Sequence, residues 1–183
     1  AIGARWRYGA SAHIIHSRLA TTQATAVALD VGVLYRIPAQ QITLSAAVNR
    51  LGRAIDSFGP TRETLPTDVR LGLTKQLRYL PVLFSLTGYN LHELGEGLPG
   101  GTALDRVMAH LLLGSEIRIH DAFRLRAGYD HRRREELALS NGFEAAGLSA
   151  GFGLAIDPLH VSYAYQSWSA VGGLHWITLR AQL

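Results

Sequence analysis

Cysteine is absent from the 183 residues, which removes disulfide staples, thiolate zinc sites and thiol nucleophiles together and suits a chain that crosses an oxidising compartment. Long apolar runs are missing too. Leu111-Leu112-Leu113 is closed at once by Gly114 and Glu116, far short of the roughly 18 consecutive apolar residues of a membrane helix. Lysine is almost absent: Lys75 stands alone, so arginine carries the net charge of +4. No basic stripe interleaved with aromatics marks a nucleic-acid binder, and no nucleic acid is expected as a partner. The chain opens at Ala1-Ile2-Gly3 without Met or a signal-like segment, which reads as a fragment or processed product. Its length and 48% hydrophobic content suit a single domain over residues 1–183.

What is present, almost throughout, is period-two alternation, which sorts residues onto the two faces of a strand. Leu148, Ala150, Phe152, Leu154 and Ile156 share one face, and Gly147, Ser149, Gly151, Gly153 and Ala155 the other. Val27, Leu29, Val31, Val33 and Tyr35 likewise alternate with Ala26, Ala28, Asp30 and Gly32, and Phe123, Leu125, Ala127 and Tyr129 with Arg124, Arg126, Gly128 and Asp130. Such runs predict strands near residues 5–18, 25–37, 42–54, 68–79, 82–93, 107–120, 122–132, 146–157, 159–168 and 173–183. Most are long for a soluble sheet, whose strands usually have about 5 or 6 residues. Tilted strands that cross a bilayer need about 9 to 11. Within residues 102–112, Leu104, Val107, Met108, Leu111 and Leu112 have helical spacing behind a Thr102/Asp105 capping pair, which predicts a short helix before the sixth strand.

The connections alternate as well. Pro38-Ala39-Gln40, Leu80-Pro81, Asp121 and Asp157-Pro158 read as tight turns, with longer links near 19–24, 55–67, 94–106, 133–145 and 168–172 between them. Outer-membrane barrels have short periplasmic turns and long external loops. Trp6, Tyr8, Tyr35, Tyr79, Tyr129, Tyr163 and Tyr165 at strand ends would form the interfacial girdles. The expected fold is therefore all-β, a transmembrane antiparallel β-barrel.

The motifs yield no enzyme, cofactor or metal site. Gly147-Leu148-Ser149-Ala150-Gly151 matches the G-x-S-x-G nucleophile elbow, which needs a strand-to-helix turn; here the alternation runs unbroken through Ser149. His13 and His16 fall on opposite faces of one strand and cannot share a metal. The remaining histidines are scattered. Gly151-Phe152-Gly153 lacks the context of a dinucleotide loop. With the apolar set facing lipid, Arg5, Arg7, Asp30, Asp68, Arg70, Glu116, Arg118, Arg124, Arg126, Asp130 and Arg180 line the opposite face. They are expected to form a bracing charge network, chiefly Asp30, Arg70, Glu116, Arg118, Arg124, Arg126, Asp130 and Arg180, ahead of an anion-attracting channel. Arg62 and Glu63 in one long link, and Arg132, Arg133, Arg134, Glu135 and Glu136 in another, are candidates for docking a partner or lipopolysaccharide phosphates.

Four strings carry a family resemblance: Asn49-Arg50-Leu51-Gly52, Leu65-Pro66-Thr67-Asp68-Val69-Arg70-Leu71-Gly72, Leu125-Arg126-Ala127-Gly128-Tyr129-Asp130-His131-Arg132-Arg133, and Gly151-Phe152-Gly153. In order along the chain, they resemble the PorQ family of type IX secretion system barrels, within the FadL-like/PorV group. The resemblance implies a FadL-like barrel of about fourteen strands, of which this chain is the C-terminal part, in the outer membrane of a Bacteroidota-like bacterium. It implies a non-enzymatic role in anchoring the surface attachment complex, with a PorZ-like surface protein and with PorV and PorU. The arginine-, alanine- and leucine-rich composition departs from the lysine- and asparagine-rich chains of that phylum. A FadL-type transporter of hydrophobic molecules, a PorV-like cargo shuttle and a lipid hydrolase using Ser149 are the alternatives.

Overall fold

The computed structural model describes residues 5–19, 22–56, 65–95, 102–137, 145–168 and 172–181. These form ten strands: β1 (Trp6–Leu19), β2 (Thr22–Ile37), β3 (Ile42–Asp56), β4 (Asp68–Gln76), β5 (Val82–Gly88), β6 (Leu111–His120), β7 (Phe123–Asp130), β8 (Leu148–Ile156), β9 (Leu159–Ser167) and β10 (Gly173–Ala181). They hydrogen-bond in sequence order as one sheet, β1 and β10 at the two ends of the order, and the registered pairs are antiparallel. The fold is all-β. By contact density the chain divides into two compact units, residues 1–72 with 88–92 and residues 73–87 with 93–183. No described helix is long and apolar enough to cross a membrane.

Within the first unit, the first hairpin is longer than the alternation suggests. β1 ends at Leu19 and β2 begins at Thr22, so two residues connect them where a longer link over 19–24 is expected. The polar stretch continues the strands because its side chains pair across the hairpin: His16 Nδ1 lies 3.0 Å from the Thr25 hydroxyl.

Between β2 and β3 the register slips at Asp30. Arg50 adopts the left-handed conformation, φ 56°, and its N–H donates to Asp30 Oδ1 at 2.7 Å. This is a β-bulge held by a carboxylate, and it strengthens the local twist. Gly52 is required beside it. A Cβ there would fall 2.0 Å from the Val27 carbonyl oxygen, so the two backbones approach more closely than any side chain permits.

In the second unit, the predicted helix is present as α1 (Ala103–Met108), and β6 starts at Leu111 rather than 107. Thr102 accepts from the Asp105 N–H while Asp105 Oδ2 accepts from the Thr102 N–H, a complete capping box. A second helix, α2 (His131–Leu137), replaces the end of the strand predicted to run to 132 and the start of the link after it. Glu136 sits one turn after Arg132 and accepts from its Nε at 2.6 Å, an i,i+4 pair that suits a helix and has no counterpart on a strand. Gly147 seats α2. With φ +77°, its Cβ would meet the Asp130 carbonyl oxygen at 2.4 Å and the Arg134 nitrogen at 3.0 Å.

Burial inverts the pattern of a soluble sheet. Along β2, Val27, Leu29, Val31 and Val33 are 36–40% exposed, whereas Ala26 and Ala28 are 9% and 6% exposed. Among the described residues the buried apolar side chains are four alanines: Ala26, Ala28, Ala109 and Ala146. The large apolar residues lie outward, including Leu113, Ile117, Leu125, Leu148, Phe152, Ile177 and Leu179. On the same face Trp6 stacks against Tyr35 with centroids 4.4 Å apart, beside the Pro38–Gln40 turn. Tyr165 meets His175 at 5.0 Å near the opposite strand ends. Tyr163, expected at a strand end, falls mid-way along β9 and bonds His175 Nδ1 through its hydroxyl, at 2.8 Å.

Candidate functional site

The polar face is built by the same alternation, read from its other side. In register, Glu116 of β6 stands opposite Arg126 of β7, and Arg126 opposite Gly151 of β8. Because Gly151 and Gly153 carry no side chain, the guanidinium can lie along the sheet. Arg126 Nε donates to Glu116 Oε2 at 2.8 Å, and Arg124 Nη1 lies 3.9 Å from Glu116 Oε1. One carboxylate thus bridges two arginines. Glu116 is 21% exposed and Arg126 46%, so solvent screens the cluster.

The other expected charges gather into separate pairs. In the first unit Asp30 Oδ2 accepts from His13 Nε2 at 3.0 Å while its Oδ1 holds the bulge. Arg70 Nε donates to Asp68 Oδ2, 2.5 Å along the same strand, and the buried Asp68 also accepts from the Asn90 N–H at 2.9 Å. Arg50 Nε reaches the Pro66 carbonyl at 2.8 Å. In the second unit Asp130 accepts from the Arg133 N–H at 3.2 Å, with Arg133 Nε at 3.8 Å from its other oxygen. Arg118 stands opposite Arg124, and Arg180 opposite His160. Among the described residues neither makes an ion pair. Arg7 pairs in register with Leu34. Glu116, Arg124 and Arg126 are therefore brought together, and Asp30, Arg70 and Asp130 take local partners.

Of the candidate docking residues, Arg62 and Glu63 lie outside the described residues. Arg132 to Glu136 lie on α2. Arg132 is engaged with Glu136, and the Arg133 guanidinium carbon lies 5.9 Å from the centre of the Trp168 ring. That spacing suits a cation–π contact. The alternation gives no sign of the partners of His13, Arg50 and Trp168: the first two reach Asp30 through cross-strand packing and the bulge, and Trp168 meets Arg133 only because α2 forms.

Ser149 lies within β8, opposite Gly128 and Gln166. Its Oγ covers the Gly128 Cα so closely that a Cβ on that glycine would fall 2.6 Å away. Ser85 covers Gly114, and Ser45 covers Gly72, in the same way. The hydroxyls are packed against the sheet, and none stands on the sharp turn that a nucleophile elbow needs. Among the described residues no group of three or more His, Cys, Asp or Glu side chains is arranged to hold a metal. No protein-family model and no curated protein matches the chain.

Proposed function

We propose that this chain forms part of a non-enzymatic outer-membrane β-barrel. The observation that carries the reading is the inverted burial of β2 and its neighbours: large aliphatic side chains outward, alanine, glycine, serine and the His13–Asp30 pair on the other face. In water such an outward face costs about 25 cal/mol per Å² of apolar surface, and a lipid bilayer removes that cost. A bilayer leaves no water for unpaired backbone groups, so β1 and β10 need strand partners there, and the proposed barrel supplies them through further strands.

Within that reading, and on the sequence resemblance, we assign the barrel a PorQ-like role in type IX secretion, holding the surface attachment complex. The rim carrying α2 then meets a PorZ-like protein, with PorV and PorU nearby. The test is fractionation of the full-length protein. It should remain with outer membranes after carbonate washing and migrate differently on gels before and after boiling. Recovery in the soluble fraction rejects the barrel. Co-purification of a surface protein, lost when Arg132, Arg133 and Arg134 are all replaced by Ser in a barrel that still shows its gel shift, supports the docking role; unchanged co-purification rejects it.

A further inference from the structure

A 410 Å³ pocket opens on the polar face of β5 to β9, beneath α2. That volume lies within the usual small-ligand range of about 300–1,000 Å³. Its floor is the row in which Ser85 covers Gly114 and Ser149 covers Gly128. Thr87 and Gln166 flank that floor, and Asp130 and Arg133 stand over it. Gln166 is opposite Ser149 in register, so its amide shares the face of the hydroxyls.

The chemistry of this lining is specific. The Asp130 side chain is 13% exposed and that of Arg133 33%, so the pair is largely screened from bulk water. Asp130 accepts from the Arg133 N–H, and Arg133 Nε lies 3.8 Å from the carboxylate, too far for a hydrogen bond. Among the described residues the Arg133 guanidinium and the side chains of Ser85, Thr87, Ser149 and Gln166 donate to nothing and accept from nothing. Groups that both donate and accept thus surround an acceptor-only carboxylate and a donor-only fork. The pair has no net charge, and Asp130 would repel a second carboxylate.

We propose that this pocket binds a neutral hexopyranose unit, as a free sugar or as one residue of a glycan. Two neighbouring hydroxyls of such a ring can accept from Arg133 and donate to Asp130 at once. The serine, threonine and glutamine side chains satisfy the remaining hydroxyls, and Leu112, opposite Asp130 in register, meets the ring's C–H edge at the pocket wall. The inference goes beyond the barrel reading and does not rest on it, since every residue involved belongs to the second compact unit.

The experiment is titration of the full chain, in detergent, with D-glucose and D-galactose, followed by saturation-transfer NMR and tryptophan fluorescence. Cyclohexanol is the control of similar size without the ring of hydroxyls. Saturable binding with a dissociation constant of about a millimolar is expected for at least one sugar and none for cyclohexanol. Asp130→Asn and Arg133→Gln should each weaken it by roughly tenfold or more, as removal of a charged hydrogen-bond partner does. Ser149→Val, which fills the floor and leaves the charge pair in place, should abolish it, and this variant decides the matter if either charge variant fails to assemble. Absence of saturation by both sugars with the chain folded, binding unchanged in the variants, or equal binding of cyclohexanol overturns the proposal. Methyl glycosides separate the two sources: they should bind as well as the free sugars if a glycan residue is the ligand.

Discussion

Asp105 is held by both hydrogen-bonding groups of Thr102, and these bonds, the side-chain hydroxyl first, lower its carboxyl below the ordinary 3.8. A depressed folded value means that the carboxylate's contribution to α1 is fully present above the ordinary carboxylate range. It is lost as pH falls through the lowered value. The Asp105 carboxyl carbon resonance should therefore titrate below 3.8 and move up towards it in Thr102→Ala, a change that should also cost the helix about 1 kcal/mol. A titration at the ordinary value in the native chain would show that the capping box does not persist in solution. The Glu116–Arg126 pair is a second residue-scale case. Its distance is short, but nearly half of the arginine side chain is exposed. A double-mutant cycle with Glu116→Gln and Arg126→Gln, measured by urea unfolding in detergent, should give a coupling below about 1 kcal/mol. A coupling above roughly 3 kcal/mol would mean that this face is dry.

For a single strand the question is which face meets which medium. Leu29 projects from β2 on the exposed apolar face, and Ser149 from β8 on the polar one. If lipid covers the first, Leu29→Arg should cost about 2–4 kcal/mol and impair assembly, whereas Ser149→Thr should be mild. Heat-modifiable mobility on gels reports both, and equal tolerance would separate the apolar face from lipid. Most strand positions are legible from alternation alone: β3 starts at Ile42, β5 at Val82 and β9 at Leu159, each where the pattern places it. What escapes is the α2 helix, because Arg132-Arg133-Arg134-Glu135-Glu136 has no apolar periodicity to reveal a helical face. The bulge at Asp30 escapes too. Its cause lies in Arg50 and Gly52, which are distant in sequence and adjacent only across the ladder.

At the scale of the whole molecule, the proposed barrel fixes a sidedness that single cysteines can read, since the chain has none of its own. Ala39 sits in the short turn between β2 and β3, and Glu135 on α2 in the long link after β7. On intact cells Glu135→Cys should react with an impermeant maleimide and Ala39→Cys should not; the reverse labelling would invert the topology. Period two, strand length and the near-absence of long apolar runs determine, from sequence alone, an all-β chain with one greasy and one polar face, because side-chain direction on a strand follows from position parity. Partnership among the polar residues is decided only by the tertiary structure. Parity puts Glu116, Arg118, Arg124, Arg126 and Asp130 on one face; register then gives Glu116 to Arg126 and leaves Arg118 opposite Arg124, while the turn into α2 brings Arg133 back to Asp130. Likewise the pocket beneath α2 draws on five strands and a helix whose spacing in the chain carries no common signal, so it comes into being only when those strands align.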